Sequence, residues 1–515
     1  MRLRNVVGSM RFNLLALAVA APLVQAQEKA IEEIVVWGSE RAREFANTNP
    51  TSLLTQDDFK SINVATTEDV VKYEPSMVIR RRFIGDSNGV MGMRGSNMFQ
   101  TSRSMVFGDG VPLHYLLQSR WNGAPRWTMV SASEIAQVKV LYGPFSAEYS
   151  GNSMGGVVEI ETAIPQQREF HFDSSYFSQG FDAYGFDETV TGYKSFMSFG
   201  DKIGDTSYYF SVNRLENESQ PQTFYFGGGS NSASPVAVNG AIVGNDDRSN
   251  SQLYFGDTGI VDTTTNNYKF KLGHDFGNWS TLLNVAYEDR ESVNDSANTY
   301  LRDGAGNPVY SGQFIQNGSK FSVPASRLSA SWLERRSLST GLRVRGNLSD
   351  SVELEANLNH FAVSRDETRS SSTHPNDPAH TLNGQIIDFG DTGWDTAEVK
   401  LYFDDLGVPG LSLVTGLRHE AFKLNMDVLN SSNYAAGSKD SFAARSGGET
   451  ELNAAYAQLN WDINGQWDAA FGLRYEDFNS SNGYYNLDDP ATPVFDLQQV
   501  PSRSDNKLSP KFSVG

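Results

Sequence analysis

The feature that most limits how this chain can fold is a period of two that begins after Pro165 and persists to the last residue. Val352, Leu354, Ala356 and Leu358 alternate with Glu353, Glu355, Asn357 and Asn359. Ala397, Val399, Leu401 and Phe403 alternate with Glu398, Lys400, Tyr402 and Asp404. Trp467, Ala469, Phe471 and Leu473 alternate with Asp468, Ala470, Gly472 and Arg474. Successive side chains of a strand point to opposite faces, so each run is a strand with one apolar face.

The connections narrow the choice. Short turns fall near Lys202-Ile203-Gly204, Gly277-Asn278, Ser349-Asp350, residues 404–410 and Asn464-Gly465. Between them lie long polar stretches at 217–266, 290–325, 366–392, 425–448 and 480–504. A sandwich or propeller has the same strand period but no reason for strict turn parity. A transmembrane antiparallel β-barrel has one: short turns on one side of the membrane, long loops on the other. Runs of roughly 10–14 residues suffice, because a tilted membrane strand needs about 9–11. We count about twelve strands over residues 166–515, the sixth a long one near 326–347.

Composition agrees. The net charge of -19 argues against nucleic acid as a partner, and 12% aromatic residues argue against acidic disorder. No cysteine is present, so neither disulfides nor thiolate metal sites hold this fold. Residues 1–26 read as a signal peptide, with Arg2, Arg4 and Arg11 ahead of an apolar run from Leu14 to Val24 and Val24-Gln25-Ala26 as the cleavage signal. No other stretch is apolar for 18 residues, so any membrane span is made of strands.

Residues 49–165 differ. Thr66-Thr67-Glu68-Asp69 has the form of a helix N-cap with acidic first-turn residues, and Pro75 ends that helix. Strand-like runs follow at 90–93, 104–107, 135–141 and 157–160, which makes a small α+β domain.

These residues bring a family with them. The run from Glu134-Ile135-Ala136-Gln137-Val138 to Tyr142-Gly143-Pro144, and its continuation from Tyr149-Ser150-Gly151 to Gly155-Gly156-Val157-Val158, resembles the late plug signature of TonB-dependent receptors. Met93-Arg94-Gly95 and Asp109-Gly110-Val111-Pro112 resemble two further plug motifs, and Glu32-Glu33-Ile34-Val35-Val36-Trp37-Gly38 resembles the TonB box. Ser76 stands where the family usually has glycine, Lys139 and Tyr142 where it often has an acid and an arginine, and Glu159 where asparagine is common. The resemblance implies a TonB-box segment at 27–48, a plug at 49–165 and a partial barrel at 166–515. The family's barrels have 22 strands, so the resemblance implies that about ten are missing. We expect this chain, expressed alone, not to transport.

The resemblance further implies active import of a scarce substrate across the bacterial outer membrane, powered through TonB with ExbB and ExbD. A ferric siderophore leads; cobalamin, haem and sugars stay open. Glu33, Ile34, Val35 and Val36 would pair with TonB as an added strand. Arg81, Arg82, Phe83, Arg120 and Trp121 are the candidates for contact with the ligand, since arginine and aromatic rings suit an anionic, flat metal chelate. A solvated plug face is the competing reading of the same residues.

No paired carboxylates, triad or phosphate loop supports an enzyme, and no cofactor or resident metal is expected. Gly151-Asn152-Ser153-Met154-Gly155 matches a nucleophile elbow in letters only, because a strand follows where a helix is required. His374 and His380 share one loop and read as loop decoration; Asp303 to Asn307 reads as a turn. The alternatives are a passive porin or adhesin, a secreted β-rich enzyme or carbohydrate-binding module, and a non-transporting fragment of a receptor.

Overall fold

The computed structural model describes residues 51–59, 61–96, 103–118, 123–144, 146–404, 406–464, 466–486 and 496–515. The expected leader and TonB-box segment, with Glu33, Ile34, Val35 and Val36, lie outside these residues, as do Arg120 and Trp121.

The N-terminal part is built on a five-stranded sheet. Its strands are β1 (Thr51–Thr55), β4 (Ser104–Gly108), β5 (Val111–Pro112), β6 (Ile135–Tyr142) and β7 (Gly156–Thr162), in the order β1-β6-β7-β4-β5. Only β4 and β7 run parallel. A hairpin of β2 (Met77–Arg80) and β3 (Val90–Met93) stands beside it. The expected helix is one 3-10 turn, Thr67–Val71, capped as anticipated: Asp69 reaches back to the Thr66 backbone N–H at 3.0 Å. Val106, Val138, Val140, Val158 and Ile160 are fully buried in the domain's apolar core.

Most of the rest is one antiparallel sheet of long strands. In chain order these are β8 (Glu169–Ala183), β9 (Phe186–Ile203), β10 (Thr206–Ser219), β11 (Val261–Asp275), β12 (Trp279–Asn294) and β13 (Ser331–Ser349). There follow β14 (Val352–Ser371), β15 (Gly384–Asp388 and Gly393–Phe403), β16 (Leu411–Ser431), β17 (Ser441–Asn464), β18 (Trp467–Asn486) and β19 (Leu497–Val500 and Arg503–Val514). The two pieces of β15 pair with the same neighbours, β14 and β16, and both pieces of β19 pair with β18. Counted so, the sheet has the expected twelve strands, each beside its neighbour in sequence.

The burial of this sheet is inverted relative to a water-soluble protein. Lys194, Lys269, Lys271, Arg290, Arg335 and Arg474 point inward and are buried, while Phe170, Phe199, Phe210, Leu358, Leu417 and Phe471 face out. Counted from each short turn, the outward apolar stretch is about nine residues long, or roughly 23 Å high at a rise of about 3.3 Å and a tilt near 40°. It ends abruptly. The next outward positions carry polar pairs bonded across neighbouring strands: Arg214 to Asn266 at 2.9 Å, Arg336 to Asp289 at 3.1 Å, His360 with Asp395 at 2.7 Å and His419 with Asn453 at 2.8 Å. That boundary marks where hydrocarbon gives way to headgroups.

Three expectations need correction. The strands reach 24 residues, because the ladder continues past the membrane level and takes up much of the stretches read as loops. The first outward connection, Tyr184-Gly185, is a tight turn. Finally, the two longest loops are folded. Residues 224–257 and 298–323 form two four-stranded sheets, and Phe255, Leu301, Phe314, Phe321 and Leu328 bury an apolar core of their own. His374 stacks on Tyr310 of this dome at 4.1 Å and tethers a third loop to it.

Candidate functional site: the plug against the wall

The plug is fastened to the barrel wall by charge. The tight turn between β4 and β5 is Asp109-Gly110, and both residues have positive φ, 49° and 82°, as a two-residue hairpin turn of this type requires. The turn thrusts the Asp109 carboxylate into the wall. Lys269 and Lys271, successive inward residues of β11, approach it at 3.3 Å each, and Asn284 of β12 donates to it at 3.1 Å. Burial alone would raise the Asp109 pKa, but Lys271 and Lys269, with Arg343, hold it well below the usual carboxylate range. Lys269 also meets Glu134 at 2.8 Å, and Arg343 of β13 grips Glu161 through two hydrogen bonds of 3.0 and 2.9 Å. Gly110 lets the turn in: a Cβ there would stand 2.7 Å from Arg343 Nη2.

A second set of contacts lies toward the later strands. Lys400 pairs with Glu148 at 2.8 Å, and Arg474 donates to the carbonyls of Ala147 and Glu148 at 3.1 Å. Burial pushes the Glu148 pKa up, and Lys400, together with Lys139 and Arg418, more than offsets it. Between the two sets runs a cleft of about 150 Å³ whose lining includes Lys139, Glu159, Glu161, Arg343, Glu398 and Lys400. Lys139, one of the departures from the family pattern, lies directly opposite Glu159, another, with 3.9 Å between their charges. Tyr142, the third, donates to Glu74 at 2.7 Å. The replacements pair inside the plug.

At the outer end, Tyr115 enters an aromatic recess of the wall, 6.2 Å from Phe389 and 5.8 Å from Trp394 between ring centroids. Its hydroxyl donates to Asp366 of β14 at 3.1 Å, and the Arg126 guanidinium lies over its ring at 3.8 Å. Residues 82–84 sit at the same end, where Gln220 and Asn217 donate to the carbonyls of Arg82 and Ile84 at 2.6 and 2.7 Å.

Of the sequence candidates, the structure brings Arg81, Arg82 and Phe83 to this outer end. Their side chains are already engaged. Arg81 pairs with Glu68 and Asp69 at 3.2 and 2.9 Å, Arg82 pairs with Asp86 at 2.9 Å, and Phe83 is buried. His380 bonds Thr373 at 3.0 Å, and no cluster of three metal-capable side chains occurs among the described residues. Ser153 sits in a 3-10 turn and donates to the Ser150 carbonyl at 2.5 Å, so it is no elbow.

Sequence reading passed over the residues that join plug to wall: Asp109, Lys269, Lys271, Arg343 and Lys400. One signal was available. Lysines at 269 and 271 occupy successive positions on the face opposite Tyr268, Phe270 and Leu272, and charges placed so on a membrane strand need partners inside the lumen.

Comparison with known proteins agrees with this geometry. Residues 44–157 match the TonB-dependent Receptor Plug Domain, and residues 195–515 match the TonB dependent receptor-like β-barrel. A segment of 173 residues is 27% identical to the vitamin B12 transporter BtuB of Vibrio vulnificus, covering 32% of this chain and 27% of that one. The ferric yersiniabactin uptake receptor FyuA from Yersinia pestis shares the fold at a TM-score of 0.57 and 15% identity, over 91% of this chain and 62% of its own. The ferric-catecholate import receptor Fiu from E. coli K12 does so at 0.56 and 14%, over 91% and 67%. This chain thus spans about a quarter of BtuB and under two thirds of FyuA. Family members are receptors and transporters rather than enzymes, and they reside in the outer membrane. With a plug and a barrel that both match, the chain belongs to the TonB-dependent receptor family.

Proposed function

We propose that the protein to which this chain belongs imports a scarce substrate across the outer membrane under TonB control, with a ferric siderophore as the leading substrate and vitamin B12 second. One observation carries the reading: the lumen is filled by a folded domain fastened to the wall through polar contacts, among them Asp109 to Lys269 and Lys271 and Glu161 to Arg343. A passive pore has no use for such a domain. A plug held by ion pairs and hydrogen bonds in a wet lumen can be displaced by a pull and can settle back. TonB, driven by ExbB and ExbD, supplies the pull through a strand added at Glu33, Ile34, Val35 and Val36. Direct contact with the ligand falls to Arg120 and Trp121, while Arg81, Arg82 and Phe83 shape the outer end that receives it. Uptake of a ferric siderophore panel and of cobalamin by cells carrying the intact receptor, with and without a protonophore, tests this. The expected result is protonophore-sensitive uptake of one ligand; uptake indifferent to the protonophore would refute it.

A further inference from the structure

We propose that Arg126, Arg290 and Arg335 form a buried site for a monovalent inorganic anion of the halide class, at the junction of plug and wall.

Arg290 of β12 and Arg335 of β13 stand directly opposite each other in the strand register, both inward, with 2% and 5% of their surface exposed. Like charges directly opposite on neighbouring strands destabilise a sheet, all the more away from water. Arg126 of the plug, 4% exposed, approaches from inside. The near compensation is Asp366, opposite Arg335 on β14, and its Oδ2 already accepts from Arg335 Nε at 3.1 Å, Arg126 Nη2 at 3.3 Å and Tyr115 Oη at 3.1 Å. Arg290 spends Nη1 and Nη2 on neutral acceptors, the Thr265 hydroxyl and the Gly85 carbonyl, at 2.8 Å each. Glu288 lies two residues before Arg290 on the same face and is fully buried, yet neither of its oxygens bonds any described residue.

Three guanidinium groups thus face two carboxylates, because the neighbouring Arg82–Asp86 pair is neutral as a unit. One positive charge is left over. Arg126 Nε, Arg290 Nε and Arg335 Nη1 are buried N–H groups with no acceptor. An unsatisfied buried donor costs about 1–3 kcal/mol, more when charged. A single anion resolves both deficits by taking the orphan N–H groups and cancelling the excess charge. The three guanidinium groups are buried, and Glu288 is buried two residues from Arg290 on the same face, which disfavours a bulky or multiply charged ion. A halide needs no fixed acceptor directions and fits both limits. The anion would join the plug, through Arg126, to two strands of the wall.

The test is anomalous diffraction from crystals of the detergent-solubilised chain grown in bromide. We expect an anomalous peak within hydrogen-bonding reach of Arg290 and Arg335, lost in Arg290→Gln and retained in Glu288→Gln. Ordered water without an anomalous signal in the unaltered chain would overturn the site, as would a peak of undiminished height in Arg290→Gln. If Arg290→Gln does not fold, thermal unfolding of the unaltered chain decides. At equal ionic strength the midpoint is expected to be higher in chloride than in gluconate, which is too large to enter; equal midpoints would overturn the site.

Discussion

Asp109 of the plug and Lys271 of the wall meet at 3.3 Å in a place where neither reaches solvent. The carboxylate arrives there on a left-handed Asp-Gly turn, and the amine arrives on the lumen face of a strand whose other face is apolar. Plug and wall are therefore matched in charge as well as in shape.

Asp109→Asn should weaken this fastening. Removing one partner of a buried ion pair costs about 3–5 kcal/mol, because the charge left behind is uncompensated. Protease sensitivity of the plug and thermal unfolding, compared with the parent chain, measure the loss. Its pH dependence is specific. The Asp109 carboxyl is depressed below its unfolded value of about 3.9, so its contribution is complete above roughly pH 5 and is lost as pH falls through the depressed folded value. The gap between variant and parent should stay constant from about pH 5 to 8 and close only in stronger acid.

Two glycine-related positions should respond in opposite directions. Ser76 holds a φ of 59°, and its carbonyl accepts from Arg94 N at 2.9 Å, so a non-glycine residue stands where the backbone is left-handed. Ser76→Gly should be neutral to stabilising, by up to about 1 kcal/mol, since relief of strain competes with the greater entropy of unfolded glycine. Gly156 has φ 144°, and a Cβ there would fall 2.1 Å from both the Leu141 carbonyl and Met93 Sδ. Gly156→Ala should open the β6–β7 hairpin and destabilise the plug by several times as much; denaturant unfolding of the two variants compares them.

The position of the membrane is testable at adjacent outward sites. Leu417 is 66% exposed within the apolar belt, and His419, two residues further from the turn, bonds Asn453 in the polar rim. Leu417→Arg should cost about 2–4 kcal/mol and His419→Arg no more than about 1. Folding into lipid vesicles reads the difference; equal costs would place the boundary elsewhere.

What the sequence disclosed follows from where its signals are local. Strands announce themselves by alternation, so Val352 to Asn359 and Trp467 to Arg474 were legible, and so was the number of wall strands. The plug strands at 90–93 and 135–141 were legible because each is bounded by turn residues. The dome was not. Phe255, Leu301, Phe314 and Phe321 come together from two separate loops, and no period connects them. The fastening was hidden for the same reason: 162 residues separate Asp109 from Lys271, and the pairing depends on which face of each strand turns inward. The engagement of Arg81 with Glu68 and Asp69 was equally silent, since a cation that shapes a loop and one that awaits a ligand look alike in a row of letters.

The central question is whether a pull on the N-terminal segment drives import. The direct measurement is paired: ligand binding and ligand uptake by cells carrying the intact receptor with Val35→Pro. Proline removes a backbone donor from the segment that would pair with TonB and leaves the described plug and wall untouched. Unchanged binding and abolished uptake are expected. Uptake at the parent rate, with binding intact, would contradict this.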